Sequence, residues 1–201
     1  MGLYDRYLAA RLGRGPQLPE TVALVITERD LLTAAAYETL EAVGGGGVGV
    51  EGETVVVGVG VGEGGAKATL GGGCERLETP RGVAVRTPGE RGRAGAPVQV
   101  GRGLGGKHEF ASAVRSIAED VDAGRLGATK VTETHVEERL VFPEDPDLIV
   151  RTGDERLSDF MIWQSVYAEL HFTDVNWQNF RRRDYLRALR DYQTRQRRFG
   201  E

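Results

Sequence analysis

Cysteine is almost missing from this chain. Cys74 is the one cysteine in 201 residues, so no internal disulfide can form, and the absence of any Cys/His cluster at metal-ligand spacing excludes a structural zinc site. A reducing compartment is the expectation. Lysine is scarce as well: only Lys67, Lys107 and Lys130 occur among 26 cationic residues, the rest being arginine. No apolar run approaches the roughly 18 to 20 residues needed to span a bilayer. The first residues carry Asp5, Arg6, Arg11 and Arg14 where a secretory signal needs its apolar stretch. These features predict a soluble, cytoplasmic protein. A strong net charge is also lacking, at -4. With no aromatic-interleaved RNA motif and no helix-turn-helix signature, nucleic acid is not an expected partner. The length suits a single domain over 1–201 with a core that needs no covalent staples.

Two things are plentiful. Glycine supplies 29 residues, about twice the usual ~7%, and they crowd between Gly44 and Gly106, so a Gly-rich, mobile insert is predicted near 44–106. Arginine is concentrated at the other end: positions 181, 182, 183, 187, 190, 195, 197 and 198 face only Asp184 and Asp191. That run reads either as a solvated helix face or as a basic surface for an anionic ligand, a partner or a membrane.

Apolar patterning alternates strand and helix. A short amphipathic helix over 1–15 ends at the 13–16 breaker. The unbroken run 21–26 has the character of a strand buried on both faces, followed by a helix over about 30–43. Valine-rich segments at 54–61, 83–85 and 98–100 read as further strands. Phe110, Val114, Ile117, Ala118 and Val121 share one helical face, predicting a helix over 108–122. Thr134 and Glu137 have capping-box spacing for a short helix reaching Leu140. After the strand 148–150, Ser158 opens a predicted helix with Phe160, Trp163, Tyr167 and Leu170 as its inner stripe, and Asp184 opens the last one. The fold class is α/β, a mostly parallel sheet flanked by helices, with ligands sought at the carboxyl ends of the strands.

The most conspicuous glycine motif does not carry chemistry. Residues 60–65 satisfy the G-x-G-x-x-G pattern, but no adequate helix follows before Gly71 and no acidic residue is suitably placed for a ribose. Lys67 follows Ala66 rather than glycine, so a triphosphate-binding loop fails too. More informative is the passage after Val150. Arg151, Arg156 and Ser158 stand between a strand end and a predicted helix start, where planar guanidinium groups, a hydroxyl and free N–H groups converge on chemistry suited to a diphosphate. Alternatively Ser158 only caps its helix and the arginines pair with Asp154, Glu155 and Asp159.

The block from Asp147 to Asp174, with its Arg151-Thr152-Gly153, Arg156-Leu157-Ser158-Asp159-Phe160, Trp163-Gln164, Tyr167-Ala168-Glu169-Leu170 and Phe172-Thr173-Asp174, resembles the carboxyl-terminal signature of the cis-prenyltransferases, the undecaprenyl diphosphate synthase family. The terminal Arg198-Phe199-Gly200 looks like that family's Arg-x-Gly, and 105–110 is similar to its Gly-Gly-Arg-x-Asp-Ile segment. The resemblance implies a cis-prenyltransferase-like fold, shortened in the middle, and an enzyme that joins isopentenyl diphosphate to an allylic diphosphate using Mg2+. It implies that Arg151, Arg156 and Ser158 hold the diphosphate of isopentenyl diphosphate. Glu169 would be the carboxylate associated with the metal and the subunit contact. Arg198 and Gly200 would contribute to a site shared with a partner subunit.

Two departures shape the functional expectation. The family's first strand ends in Asp-Gly-Asn-x-Arg-Trp, whereas here Thr27 stands at the position of the aspartate, and a neutral hydroxyl is a poor substitute for a carboxylate on a hard cation. The family's Phe-Ser-x-Glu-Asn-Trp and tunnel-lining helices are replaced by Gly-rich sequence. The leading expectation is therefore a homologue in polyprenyl diphosphate synthesis that retains the isopentenyl diphosphate site but is a non-catalytic subunit of a heteromeric synthase; the expected partners are isopentenyl diphosphate, a cis-prenyltransferase subunit in a hetero- or homodimer, and a peripheral membrane contact. The alternatives are an active polyprenyl diphosphate synthase with a rebuilt allylic loop, and a non-enzymatic diphosphate-binding or membrane-peripheral module.

Overall fold

In the computed structural model, residues 3–13, 17–27, 34–44, 54–60, 82–87, 89–91, 95–102, 105–153 and 159–195 are described. Their elements in chain order are α1 (Leu3–Leu12), β1 (Thr21–Thr27), α2 (Ala34–Gly44), β2 (Thr54–Gly60), β3 (Val83–Arg86), β4 (Val98–Arg102), α3 (Gly106–Asp122), α4 (Glu133–Glu137), β5 (Leu148–Thr152), β6 (Glu169–Thr173) and α5 (Arg182–Thr194). Short 3-10 turns occupy Ala128–Lys130 and Trp177–Asn179. The six strands form one sheet in the order β3-β4-β2-β1-β5-β6, and every pairing is parallel. Within the stretch read from sequence as a Gly-rich insert, three segments, β2, β3 and β4, are strands of this sheet.

The strands are apolar throughout because both faces are covered. Val22, Leu24 and Ile26 point into a cluster with Leu8 and Leu12 of α1, Leu40 of α2, and Tyr185, Leu189 and Tyr192 of α5. Ala23, Val25, Val56 and Ile149 point the other way, onto Val141, Phe142, Phe160 and Met161. Ala113 and Ile117 of α3 close over Val136 and Leu140, and Phe110 stacks on Trp163 with ring centroids 5.4 Å apart. At the amino edge of the sheet Asp147 pins β1: its carboxylate accepts from the Glu20 and Thr21 N–H groups at 2.8 and 3.2 Å, and its own N–H donates to the Thr21 carbonyl.

Three expectations need correction. The helix predicted from Ser158 does not appear over the described residues 159–170: irregular turns run over 160–167 and the chain then enters β6. Met161 adopts a φ of 54°, a left-handed conformation that a right-handed helix cannot accommodate. Tyr167 consequently faces solvent rather than an inner stripe. The final helix begins at Arg182, not Asp184; Asp184 lies in its first turn and accepts from the Arg181 N–H at 3.0 Å. In α4 the reciprocal cap is made by Thr132 and His135 rather than Thr134 and Glu137, with the Thr132 N–H donating to His135 Nδ1 at 3.2 Å.

One segment outside helix and strand is held by side chains. The Val141 N–H donates to the Glu109 carboxylate of α3 at 2.6 Å, and the Phe142 N–H does so too. The Val141 carbonyl accepts from Arg86 of β3 at 2.8 Å, and the Phe142 carbonyl accepts from Gln164 at 2.7 Å. Burial pushes Glu109 above the ordinary carboxylate value, and the two backbone N–H groups oppose that rise. Removing the acceptor would strand buried donors, at about 1–3 kcal/mol each. Glu109→Ala is expected to lower stability by about 2–4 kcal/mol in urea denaturation, and Glu109→Gln by less because its amide oxygen still accepts. Equal midpoints for the wild type and Glu109→Ala would refute this account.

Candidate functional site

The strand order places a crevice between β1 and β5. From β1 the chain winds outward through β2 to β4 and β3, then returns to β5 on the other side of β1. In parallel sheets ligands bind at such a reversal, at the carboxyl ends of the strands. Thr27 is the last residue of β1, two positions beyond Val25, which pairs with Arg151 of β5. Thr27 and Arg151 therefore share one edge of the crevice. Thr152 follows, 6% exposed, and its buried Oγ1 has no hydrogen-bond partner among the described residues. Gly153 then turns with a φ of +82°, a conformation glycine adopts without Cβ strain, and its N–H donates to the Thr173 carbonyl at 3.1 Å.

Arg151 is half-buried and helps line a cavity of about 310 Å³ whose walls include Val25, Ile149, Phe160, Leu170 and Phe172. Arg156 and Ser158, predicted with it to bind diphosphate, lie outside the described residues, as do Arg198 and Gly200. Glu169 is not brought to Arg151. It opens β6 in register with Leu148, three residues or about 10 Å of strand rise below the level of Arg151. Glu169 is engaged by Arg195, whose Nη1 lies 3.1 Å from its carboxylate and 2.5 Å from the Leu170 carbonyl.

Asp159 and Phe160, read from sequence as an ion-pair partner and an inner-stripe residue, make other contacts here. Asp159 is aimed at the amino end of α3, where its Oδ2 accepts from the Lys107 N–H at 3.3 Å. The N-cap, Gly105, has no side chain to cap with. Phe160 lies over Gly58 of β2 and meets Phe142 edge to face, with centroids 5.7 Å apart. The available signal was the Gly105-Gly106 pair at a helix start, which reads locally as a poor cap and makes sense only with a carboxylate supplied from elsewhere.

Similarity to known proteins follows this geometry. The family model described as "Putative undecaprenyl diphosphate synthase" matches residues 81–200. The chain belongs to the undecaprenyl diphosphate synthase family. A tritrans,polycis-undecaprenyl-diphosphate synthase (geranylgeranyl-diphosphate specific) of Methanocaldococcus jannaschii is 47% identical over 110 residues, which cover 52% of this chain and 39% of that protein. An isoprenyl transferase of Thermus thermophilus is 42% identical over 134 residues, covering 63% and 47% respectively. The matched stretches thus span less than half the length of these relatives. In fold, the chain is similar to lavandulyl diphosphate synthase from Lavandula x intermedia, solved with dimethylallyl diphosphate (TM-score 0.69, 21% identity, 92% of this chain and 99% of that one). A Campylobacter jejuni structure described as a "probable undecaprenyl diphosphate synthase" gives a TM-score of 0.66 at 20% identity, with the same coverage.

Within this family member, the matched stretch includes Arg151, Arg156, Ser158, Glu169, Arg198 and Gly200, while Thr27 precedes it. The described residues do not fit a magnesium site. Thr27 offers no carboxylate, Glu169 is occupied by Arg195, and no group of three or more His, Cys, Asp or Glu converges among the described residues. No helix among them is long and apolar enough to cross a membrane.

The β6–α5 contact beside Glu169 carries a titratable group. His171 Nδ1 lies 3.3 Å from the Asp191 carboxylate. Burial lowers the His171 pKa from its ordinary 6.5; Asp191 opposes this and Arg195 reinforces it. The unfolded chain therefore takes up a proton near 6.5 before the folded chain does. The contribution is present above 6.5 and lost as pH falls through the lowered folded value. His171→Asn is expected to shrink the drop in melting temperature between pH 7.5 and pH 5.5 relative to wild type; an unchanged drop would contradict the assignment.

Proposed function

We propose that this chain is a cis-prenyltransferase homologue of polyprenyl diphosphate synthesis that binds isopentenyl diphosphate and acts as the non-catalytic subunit of a dimeric synthase. The observation that carries the reading is the pairing at the crevice: Arg151 is retained on β5, and Thr27 ends the neighbouring β1 where the family places its metal-recruiting aspartate. Arg151, Arg156 and Ser158 hold the diphosphate of the five-carbon substrate through charge-assisted hydrogen bonds. The carboxylate needed for magnesium and for ionising the allylic diphosphate is left to a catalytic partner.

Dimerisation proceeds through the β6 edge. Among the described residues that edge of the sheet carries no further strand, and beside it Ile162, Val166, Tyr167 and Phe172 leave apolar surface exposed, Val166 at 69% and Tyr167 at 66%. Exposed sheet edges and contiguous apolar surface are common sites of association. Arg198 and Gly200 contribute to the site shared with the partner. The arginine-rich end also supports work at an anionic membrane surface, where a polyprenyl product would leave.

A second reading, an active synthase with a rebuilt allylic loop, is favoured by the curated relatives, which are named as synthases and transferases. Incorporation of labelled isopentenyl diphosphate separates the two. The chain alone is expected to show no magnesium-dependent product, and adding an active homologue is expected to restore or raise incorporation. Robust turnover by the lone chain, lost in Asp30→Ala and kept in Thr27→Ala, would establish the second reading instead.

A further inference from the structure

Helix α1 is anchored by one face and leaves another bare. Leu8 and Leu12 are buried in a cluster with Tyr185, Leu189 and Tyr192 of α5. At about 100° per residue, Leu3, Tyr7 and Ala10 fall within a stripe about 60° wide on the side away from those two leucines. All three are exposed, Leu3 at 89%. Arg6 and Arg11, exposed as well, each lie about 40° beyond one margin of that stripe. Asp5, the one acidic residue of the helix, falls on the other side and is half-buried. Arg11 Nη1 donates to the Tyr7 hydroxyl at 2.7 Å. From α5 the Arg187 guanidinium lies 5.5 Å from the centroid of the Tyr4 ring. Arg183, one turn earlier on the same face of α5, is exposed beside it. The outer face of an ordinary surface helix is polar; this one is an apolar stripe bordered by arginine.

We propose that the outer face of α1, together with Arg183 and Arg187 of α5, is the surface by which this chain docks on an anionic lipid bilayer. The proposal rests on the membrane contact in the reading above and not on its diphosphate site. Leu3 and Tyr7 enter the boundary between headgroups and acyl chains, where an aromatic ring keeps its hydroxyl in the wet layer. The arginines lay their stems along the apolar surface and present planar donors to lipid phosphates. Charge selects this occupant. The four arginines would repel a second copy of the same face, which offers no exposed carboxylate from α1. Nucleic acid supplies phosphates but no apolar medium for Leu3. The chain as a whole carries -4, so it approaches an anionic surface with this face first.

Co-sedimentation of the full chain with vesicles, in the absence of any prenyl substrate, tests the surface. The wild type is expected to bind vesicles of mixed phosphatidylglycerol and phosphatidylcholine, to ignore vesicles of phosphatidylcholine alone, and to release as salt is raised. One arginine near an anionic surface is worth about fivefold in affinity, so Arg6→Gln/Arg11→Gln is expected to weaken binding about twentyfold. Leu3→Gln is expected to weaken it about tenfold while keeping the salt dependence. Because these side chains are exposed, melting temperature stays at the wild-type value in both variants. Leu3→Trp is expected to show fluorescence quenching by brominated acyl chains above the wild-type background. A wild type that stays in the supernatant, or variants that sediment as well as it does, would overturn the proposal. So would tighter binding to a single-stranded oligonucleotide than to the anionic vesicles, which assigns the face to nucleic acid. Calorimetry with isopentenyl diphosphate keeps the two readings apart. Diphosphate binding without vesicle binding sinks the docking surface alone, and vesicle binding without diphosphate binding upholds the surface and removes the substrate.

Discussion

Two peptide units at Val141 and Phe142 cross the interior without belonging to a helix or a strand, and buried backbone of that kind must find its hydrogen bonds elsewhere. Three side chains supply them: the carboxylate of Glu109, the guanidinium of Arg86 and the amide of Gln164. Each comes from a different part of the chain, so one short segment ties the head of α3, strand β3 and the turns over 160–167. Phe142 in turn packs against Phe160, which links this polar brace to the crevice between β1 and β5. A loss at Glu109 would therefore reach the site through packing, even though Glu109 is not among the residues read as holding diphosphate.

Much of this fold was legible because its strongest signals are local. The run over β1 reads as a doubly buried strand from composition alone, and the period of α3 reads as an amphipathic helix. What failed was a judgement of period over 158–170. Phe160, Trp163 and Tyr167 have helical spacing, yet Met161 takes a left-handed φ and the partner that stabilises 169–173 is β5, 21 residues earlier in sequence. A single-segment pattern cannot weigh that competitor. The place of Arg151 at the carboxyl end of its strand was legible, while the contact of Asp159 with α3 was not, since its partner lies 52 residues away.

Glycine illustrates the same limit. The excess looked like a composition anomaly confined to a loop, and the match at 60–65 offered a false lead. Gly58, Gly105 and Gly106 lie at the margins of that stretch or within its strands, and their value is the space they leave for Asp159 and Phe160. Counting glycines predicts little; asking what would meet each missing Cβ identifies Asp159 against Gly105 and Gly106, and Phe160 over Gly58. Thr27 and Arg151 share an edge of the neighbouring crevice, and on the proposed reading the two halves of a transfer reaction part company there, an arginine on one strand and a threonine in place of the expected aspartate on the next.

The pin at Asp147 has a consequence for how such a parting could arise. By holding the amino ends of β1 and β5 together, with its carboxylate on the Glu20 and Thr21 amides and its carbonyl accepting from Glu169, it fixes the strand register at the edge remote from the crevice. Loops at the carboxyl edge then inherit a frame they do not have to maintain. A lineage can rewrite them residue by residue, exchanging an acid for a threonine, without the sheet slipping out of step. The fold is in this sense insured at one end against experiments at the other.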